Sequence, residues 1–253
     1  MKLYLGNVVW RTEEVGHAQS MRQLVRELDR RGMEFTDGTV VGDALISRAR
    51  SIIGSTFLRS DADVLLSIDS DIWFRAEDAI ALAERAMAYD IVAAMYMTRA
   101  LQTKPALMLP EEPVTFAAGQ EAVETPFVST GFVAVNRRVF QALSEELPLC
   151  HRGWNDRGAD TSFWPFYMPF TIPWEGDGHM YLSEDWAFCQ RAKDAGFKVW
   201  LDPSIRVGHI GQTMFTLEDL IRAPKPQPMD MRLHRNGDGE LHTEVLTGDI
   251  KHD

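Results

Sequence analysis

Strands and helices alternate along the first third of this chain, and this alternation limits the possible folds more than any other sequence feature. Short apolar runs predict strands at residues 3–9, 63–68 and 90–95. Apolar residues at helical spacing predict helices at residues 16–31, 42–59 and 75–88. Strands that are connected through helices favour an α/β fold with a mixed, mostly parallel, Rossmann-like sheet.

The second part of the chain is less regular. Residues 97–126 contain several prolines and show no clear period. The elements predicted beyond them are a strand at 127–135, a helix at 137–146, a helix at 184–196 and a strand at 197–201. We therefore predict one domain over residues 1–222, in two halves that divide after residue 96. From residue 223 the sequence is polar and predicts a peripheral tail or arm over 223–253.

Composition excludes several classes of protein. The 253 residues are 45% apolar and 25% charged, as in soluble domains, and no apolar run reaches the roughly 18 residues of a membrane span. The first residues predict a strand and not a signal peptide. Two cysteines, Cys150 and Cys189, are too few for a disulfide framework. These features predict a cytoplasmic protein, and the net charge of −11 argues against a large nucleic-acid-binding surface.

Two pairs of aspartates flank the apolar run at residues 64–68. Asp61 and Asp63 precede the run, whereas Asp69 and Asp71 follow it. Ligands of open α/β sheets bind outside the carboxyl ends of the strands, so only the second pair is in a suitable place. Two carboxylates one residue apart suit Mg²⁺ or Mn²⁺, and such a metal can also hold a diphosphate. Taken alone, the pair could equally be a polar turn.

A second group of polar residues lies between positions 181 and 211. Ser183 is suited to cap the predicted helix, with Glu184 and Asp185 in its first turn. His209 lies between Gly208 and Gly211. Each feature has a plain alternative, because acidic residues favour helix N-termini in general and His209 could be an ordinary loop histidine.

Together these motifs resemble the GT-A glycosyltransferases, most closely the family-2-type enzymes with their bacterial and phage members. The resemblance covers about residues 2–212. It depends on the order of five short motifs: Ser47-Arg48-Ala49-Arg50, Asp69-Ser70-Asp71, Thr130-Gly131-Phe132, Ser183-Glu184-Asp185 and Gly208-His209. It implies a single GT-A domain, with a nucleotide-binding half at 1–96 and an acceptor and catalytic half at 97–222.

The resemblance also implies a metal site and a base. Asp71 would ligate the metal, Asp69 would contact the metal or the ribose, and His209 would be the third protein ligand. Asp185, or Glu184 as the second choice, would face the acceptor hydroxyl. The Ser-Glu-Asp pattern is more like that of the inverting members, in which a carboxylate removes the acceptor's proton.

Three further residues are predicted to contact the donor. Gly131 would let the donor sugar approach the backbone closely. Arg48 could reach the diphosphate or the base, although it could also be a solvated helix residue. Arg99 follows a strand end and is a further candidate for donor contact. The aromatic stretch at 154–174 predicts either an acceptor-binding loop or core filling, with equal weight.

The predicted reaction is transfer of a sugar from a nucleotide diphosphate sugar, UDP- or GDP-linked, with Mn²⁺ or Mg²⁺ as cofactor. The acceptor could be a saccharide, a protein, a lipid-linked intermediate or a modified base. One alternative is a nucleotidyltransferase, but the loop at 10–14 lacks the Gly-rich basic pattern that holds a triphosphate. Another alternative is an inactive sugar- or nucleotide-binding module, against which the set of acidic residues and His209 argues.

Overall fold

A computed structural model describes residues 1–99, 103–153, 162–174, 176–211, 214–217, 230–235 and 239–246. The described helices are α1 Val15–Arg31, α2 Ile46–Arg59, α3 Ala76–Tyr89, α4 Arg137–Glu146 and α5 Glu184–Asp194. The strands of the first half are β1 Leu3–Val9, β2 Phe35–Val41, β3 Val64–Asp69, β4 Ile72–Trp73 and β5 Ile91–Ala93. The next strands are β6 Val114–Phe116, β7 Val123–Glu124, β8 Phe132–Asn136, β9 Cys150–His151, β10 Ser162–Phe163, β11 Phe170–Pro173 and β12 His179–Leu182. The last are β13 Val199–Leu201, β14 Gly208–Ile210, β15 Met214–Phe215, β16 Met231–Arg235 and β17 Leu241–Val245.

A seven-stranded mixed sheet forms the centre, in the order β2-β1-β3-β8-β5-β13-β7. Strands β2, β1 and β3 are parallel, as are β5 and β13, whereas β8 and β7 run antiparallel to their neighbours. Five of the seven strands therefore point the same way. The predicted fold class, an α/β domain with a mixed and mostly parallel sheet, is confirmed.

Helices cover both faces of this sheet, because alternate residues of each strand point to opposite faces. Leu3 and Leu5 of β1 join a cluster with Leu24 and Leu28 of α1, whereas Tyr4 joins a second cluster of buried residues from α2, α4 and α5. The α1 stripe is spaced for a helix, and Gly32 ends it in the left-handed conformation at φ 65°. Both faces of the sheet are thus buried, so polar functional groups are expected at the ends of its strands.

Sequence analysis misses strand β2 and starts helix α2 too early. Phe35–Val41 is an edge strand whose residues alternate between half-buried and exposed, and it contains Asp37 and Gly38, which are uncommon in strands. It pairs along its whole length with β1. The predicted helix at 42–59 begins at Ile46, because Gly42 adopts φ 76° and residues 42–45 connect β2 to the helix.

The described part of the predicted C-terminal tail forms a β-hairpin. Strand β16 pairs with β17 and also with β6, and Met231 and Leu233 are fully buried beside Phe116. These apolar side chains alternate with polar ones, which is the pattern of a half-buried strand within an otherwise polar segment. Residues 223–229, 236–238 and 247–253 of the predicted tail lie outside the described residues.

The short β14 is the middle strand of a separate three-stranded sheet, in the order β15-β14-β4. It pairs antiparallel with β4, placing His209 opposite Ile72, and with β15. Among the helices that the structure describes, none is both long and apolar enough to pass through a membrane.

Candidate functional site

Polar side chains converge at the carboxyl edge of the central sheet. Asp69 is the last residue of β3, and the antiparallel β8 begins beside it, since Ile68 pairs with Phe132. The residues just before β8 therefore lie at the same edge, where the Asp69 N–H donates to the carbonyl of Gly131 at 2.8 Å. Antiparallel insertion of β8 thus brings the predicted motifs at 69–71 and 130–132 together.

Asp69 is held by a buried arginine. Arg50, only 4% exposed, donates from Nη1 to Asp69 Oδ1 at 2.8 Å and from Nη2 to Asp69 Oδ2 at 2.9 Å. It also donates to the carbonyl of Thr130 at 3.2 Å. Such a two-pronged pair is strong and directional, so both carboxylate oxygens of Asp69 are engaged by the guanidinium. Asp69 is therefore a poor candidate for a metal ligand in this conformation.

The arginine predicted from the sequence to contact the donor is Arg48, two positions before Arg50. A signal was available, because Arg50, Ile53 and Phe57 are spaced at i, i+3 and i+7 and all face the core. A charged residue on an apolar helix face needs a partner of opposite charge. Arg48 lies outside this cluster: it forms a two-pronged ion pair with Asp43, with both contacts at 2.8 Å.

Asp185 lies on the other side of Arg50. The hydroxyl of Thr130 donates to Asp185 Oδ1, and Arg50 Nε lies 3.8 Å from the same oxygen. Burial raises the pKa of Asp185, although the charge of Arg50 and the hydrogen bond from Thr130 act against the rise. Burial and the neighbouring charge of Asp185 also raise the pKa of Glu184. A carboxylate with a raised pKa is a better proton acceptor near neutral pH.

Ser183 occupies the N-cap position of α5, as predicted, but its side chain makes no capping hydrogen bond. Helix α5 begins directly after β12, which pairs with β11 and brings Phe170 opposite Leu182. This packing, together with the acidic first turn of the helix, defines where the helix begins.

Asp71 and His209 are 138 positions apart in sequence but adjacent in the fold. The pairing of β14 with β4 brings His209 Nε2 to 3.4 Å from Asp71 Oδ2. His209 Nδ1 lies 2.8 Å from the carbonyl of Met97, which can only accept, so Nδ1 carries a proton. In the neutral ring, the lone pair of Nε2 then faces a carboxylate. Two acceptors in this arrangement attract each other only through a second proton or a cation between them.

The surroundings of Asp71 favour its ionised form. Burial disfavours the carboxylate, but a protonated His209, through its hydrogen bond and its charge, and the charge of Arg99 outweigh burial and lower the pKa of Asp71. Arg99 Nη1 lies 2.9 Å from Asp71 Oδ2 and donates to the carbonyl of Ile210 at 3.2 Å. Asp71 Oδ1 is buried and has no hydrogen-bond partner among the described residues.

These observations fit a divalent cation held by Asp71 and His209. Asp71 Oδ2 and the His209 Nε2 that faces it are suitable donors, and the second oxygen of this carboxylate, Oδ1, is buried without a partner. The Met97 carbonyl sets the ring orientation as in known metal sites. Within the described ranges, however, no group of three or more His, Cys, Asp or Glu side chains could hold a metal. Of the three predicted metal ligands, Asp71 and His209 lie together, whereas Asp69 is paired with Arg50.

Gly131 is required by close packing. A Cβ atom at this position would lie 2.6 Å from Asp69 Oδ2 and 2.6 Å from the Tyr96 hydroxyl. Tyr96, which sequence analysis did not select, is buried beside Arg50, Asp69 and Asp185 and contacts the His209 ring edge-on at 5.1 Å. The absence of a side chain at residue 131 therefore lets the carboxylate and the tyrosine approach each other.

Within the aromatic stretch at 154–174, some rings lie in the core and others on the surface. Phe166 and Tyr167 are fully buried and pack on Phe140 and Phe188, respectively, so this part fills the core. Trp174 is 55% exposed. Trp154, at the start of the stretch, lies outside the described residues.

Comparisons with known proteins find likeness in fold but not in sequence. No family model matches this chain, and no curated protein matches it either. The solved structure of A197 from STIV matches over 100% of this chain and 99% of its own, with a TM-score of 0.50 and 15% identity. The two proteins thus share an overall fold.

Two other structures that match are glycosyltransferases with lower scores. GalNAc-T7, solved with UDP, GalNAc and Mn²⁺, matches 82% of this chain and 44% of its own at 11% identity and a TM-score of 0.49. The catalytic domain of Drosophila beta1,4galactosyltransferase 7 matches 98% of this chain and 95% of its own at 15% identity and a TM-score of 0.46.

Proposed function

We propose that this protein is a metal-dependent glycosyltransferase that moves a sugar from a nucleotide diphosphate sugar to an acceptor hydroxyl. One observation carries the proposal: His209 Nε2 faces Asp71 Oδ2 at 3.4 Å at the carboxyl edge of an α/β sheet, where ligands of such sheets bind. When His209 is neutral, these two acceptors need a cation between them. The protein is also strongly acidic, with a formal net charge of −11. An anionic donor would therefore need a bound cation to approach it.

In this proposal Asp71 and His209 hold Mn²⁺ or Mg²⁺, and the donor is a UDP- or GDP-sugar. When bound, the metal supplies a Lewis acid that offsets charge on the departing diphosphate. Asp69 does not reach the metal directly. Its carboxylate, fixed by Arg50, faces Gly131 and is positioned for hydroxyl groups of the ribose or the donor sugar.

Asp185 is the proposed general base of an inverting reaction. Its raised pKa favours proton uptake from the acceptor hydroxyl, and the Thr130 hydroxyl and the Arg50 guanidinium fix its orientation. Glu184, one residue earlier, is the second choice, since it too is partly buried with a raised pKa.

The acceptor is proposed to bind on the side of the hairpin β11–β12. This hairpin leads directly into Glu184 and Asp185, and it exposes Tyr181 at 65%. Exposed aromatic rings suit sugar or base acceptors, which stack on them.

The test is to incubate the protein with Mn²⁺ and a panel of nucleotide sugars and to monitor release of nucleoside diphosphate. We expect slow, metal-dependent release from one donor even with water as acceptor. Release of pyrophosphate from nucleoside triphosphates and sugar phosphates would indicate a nucleotidyltransferase instead. Absence of both turnover and metal-dependent nucleotide binding would refute the enzyme proposal.

A further inference from the structure

We propose that Arg99 is a displaceable counterion: it neutralises Asp71 while the metal is absent, competes with the metal for that carboxylate, and pairs with the donor diphosphate once displaced. The competition follows from the contacts of Arg99 alone. The diphosphate role rests on the function proposed above.

The two aspartates of the 69–71 motif have arginine partners of different kinds. Arg50 is buried, uses both prongs of its guanidinium on Asp69, and also binds a backbone carbonyl. Arg99 is 46% exposed, and its Nη1 lies 2.9 Å from Asp71 Oδ2 and donates to the carbonyl of Ile210 at 3.2 Å. An ion pair whose arginine reaches solvent contributes less stability than a buried one, so Arg99 can leave at a smaller cost than Arg50.

Arg99 contacts Asp71 Oδ2, the carboxylate oxygen to which a metal would bind. Its Nη1 lies 2.9 Å from Asp71 Oδ2, the same oxygen that His209 Nε2 faces at 3.4 Å. A cation bridging Asp71 and His209 would have to bind on this edge of the carboxylate. A guanidinium and a metal cation at the same carboxylate oxygen repel each other. Metal binding and the Arg99 contact therefore exclude or weaken each other.

The arginine would remain near the site after displacement. Its aliphatic stem packs on Gly211, where an added Cβ would lie 3.0 Å from Arg99 Cδ. The backbone before it is fixed, because the N–H of Thr98 donates to the carbonyl of Lys104 at 2.8 Å. Only the exposed guanidinium needs to move. Arginine binds phosphate oxygens in a two-pronged manner, so a metal-bound diphosphate offers it a new partner.

The first test measures Mn²⁺ binding by calorimetry in the absence of nucleotide. Arg99→Ala should bind Mn²⁺ about three- to tenfold more tightly than the wild type, the range expected when a weak competing pair is removed. Arg99→Lys keeps a positive charge and should stay closer to the wild type. The matched control is Arg138→Ala, which removes another exposed arginine from an aspartate pair, at Asp90, and should not change Mn²⁺ affinity. Unchanged or weaker Mn²⁺ binding by Arg99→Ala would overturn the competition.

The second test measures binding of UDP and GDP at saturating Mn²⁺. Arg99→Ala should bind the preferred nucleotide at least several-fold more weakly, although it binds the metal better. Equal nucleotide affinity in the two proteins would overturn the diphosphate role. Failure of the wild type to bind either nucleotide would refute that role together with the proposed function, whereas tighter Mn²⁺ binding by Arg99→Ala would still support the competition.

Discussion

Arg48 and Arg50 lie two positions apart on helix α2 and form the same kind of two-pronged pair with an aspartate, but in different surroundings. Arg48 is 38% exposed and Arg50 is 4% exposed. Removing a buried arginine leaves its partner's charge without compensation, whereas an arginine that reaches solvent contributes less, even though the side chain of its partner Asp43 is only 4% exposed. Burial, and not the presence of an ion pair, should therefore decide which arginine the fold depends on.

This difference predicts the stability of two matched variants. Arg50→Met should lower the free energy of unfolding by about 3 kcal/mol, because Asp69 and Asp185 lose their shared cation. Arg48→Met should lower it by less than Arg50→Met does, because the Arg48 side chain reaches solvent. Urea denaturation of both variants measures the two values. Equal losses would show that Arg50 has no special structural role.

The raised pKa of Asp185 predicts how activity depends on pH. A general base works only when deprotonated, so nucleoside diphosphate release should fall as the pH drops through the pKa of Asp185. Burial raises that pKa, so the acid limb should lie above the ordinary aspartate range near 3.9. A profile of turnover against pH at saturating donor and metal locates the limb. A limb at the ordinary value would argue against a buried carboxylate as base.

At the scale of elements, the C-terminal hairpin β16–β17 contributes a strand face to the core. Leu233 is fully buried in the cluster with Phe116 and Met231, although the surrounding sequence is polar. The hairpin is therefore part of the folded domain, and its apolar side chains should carry a measurable share of the stability.

Truncation of one leucine tests this role. Leu233→Ala should lower the free energy of unfolding by about 2–4 kcal/mol, as for other leucines deleted from a core. Leu149→Ala is the matched control, because Leu149 is 50% exposed, and it should cost less than about 1 kcal/mol. Thermal or urea unfolding measures both. If the two leucines prove equivalent, the hairpin is not packed on the domain in solution.

Elements with strong patterns could be predicted from the sequence, and those with weak patterns could not. The apolar run at 64–68 and the regular stripe of α1 gave β3 and α1 within a residue or so. Strand β2 could not be recognised from the sequence, because it is an edge strand and about half of its side chains face solvent. The hairpin β16–β17 was hidden for the same reason.

The candidate site was predictable in part for a similar reason. Asp71 and His209 could be selected from their motifs, but their contact depends on pairing between β4 and β14, which no local pattern encodes. The ion pair between Asp69 and Arg50 depends on the packing of α2 against the sheet. Tyr96 has no motif of its own and enters the site only through the three-dimensional fold.

At the scale of the whole molecule, the two predicted halves share one sheet. Strand β8, from the second half, lies between β3 and β5 of the first and pairs with both. Division after residue 96 would remove the strand that joins these two. The halves are therefore not separate folding units, whatever their separate roles in binding.

A fragment of residues 1–96 tests this arrangement. We expect it to lack cooperative thermal unfolding and dispersed amide signals, because β3 and β5 lose their common neighbour and much apolar surface becomes exposed. Circular dichroism and two-dimensional NMR of the fragment measure these properties. A cooperative transition would show that the first half folds alone.

The central claim is that Asp71 anchors the donor through a metal while Asp185 acts only on the acceptor. Calorimetry of nucleotide-sugar binding in the presence of Mn²⁺ tests it most directly, with the wild type, Asp71→Ala and Asp185→Asn compared side by side. We expect Asp185→Asn to bind the donor like the wild type, whereas Asp71→Ala should lose metal-dependent binding. Wild-type affinity in Asp71→Ala, or equal loss of binding in both variants, would contradict it.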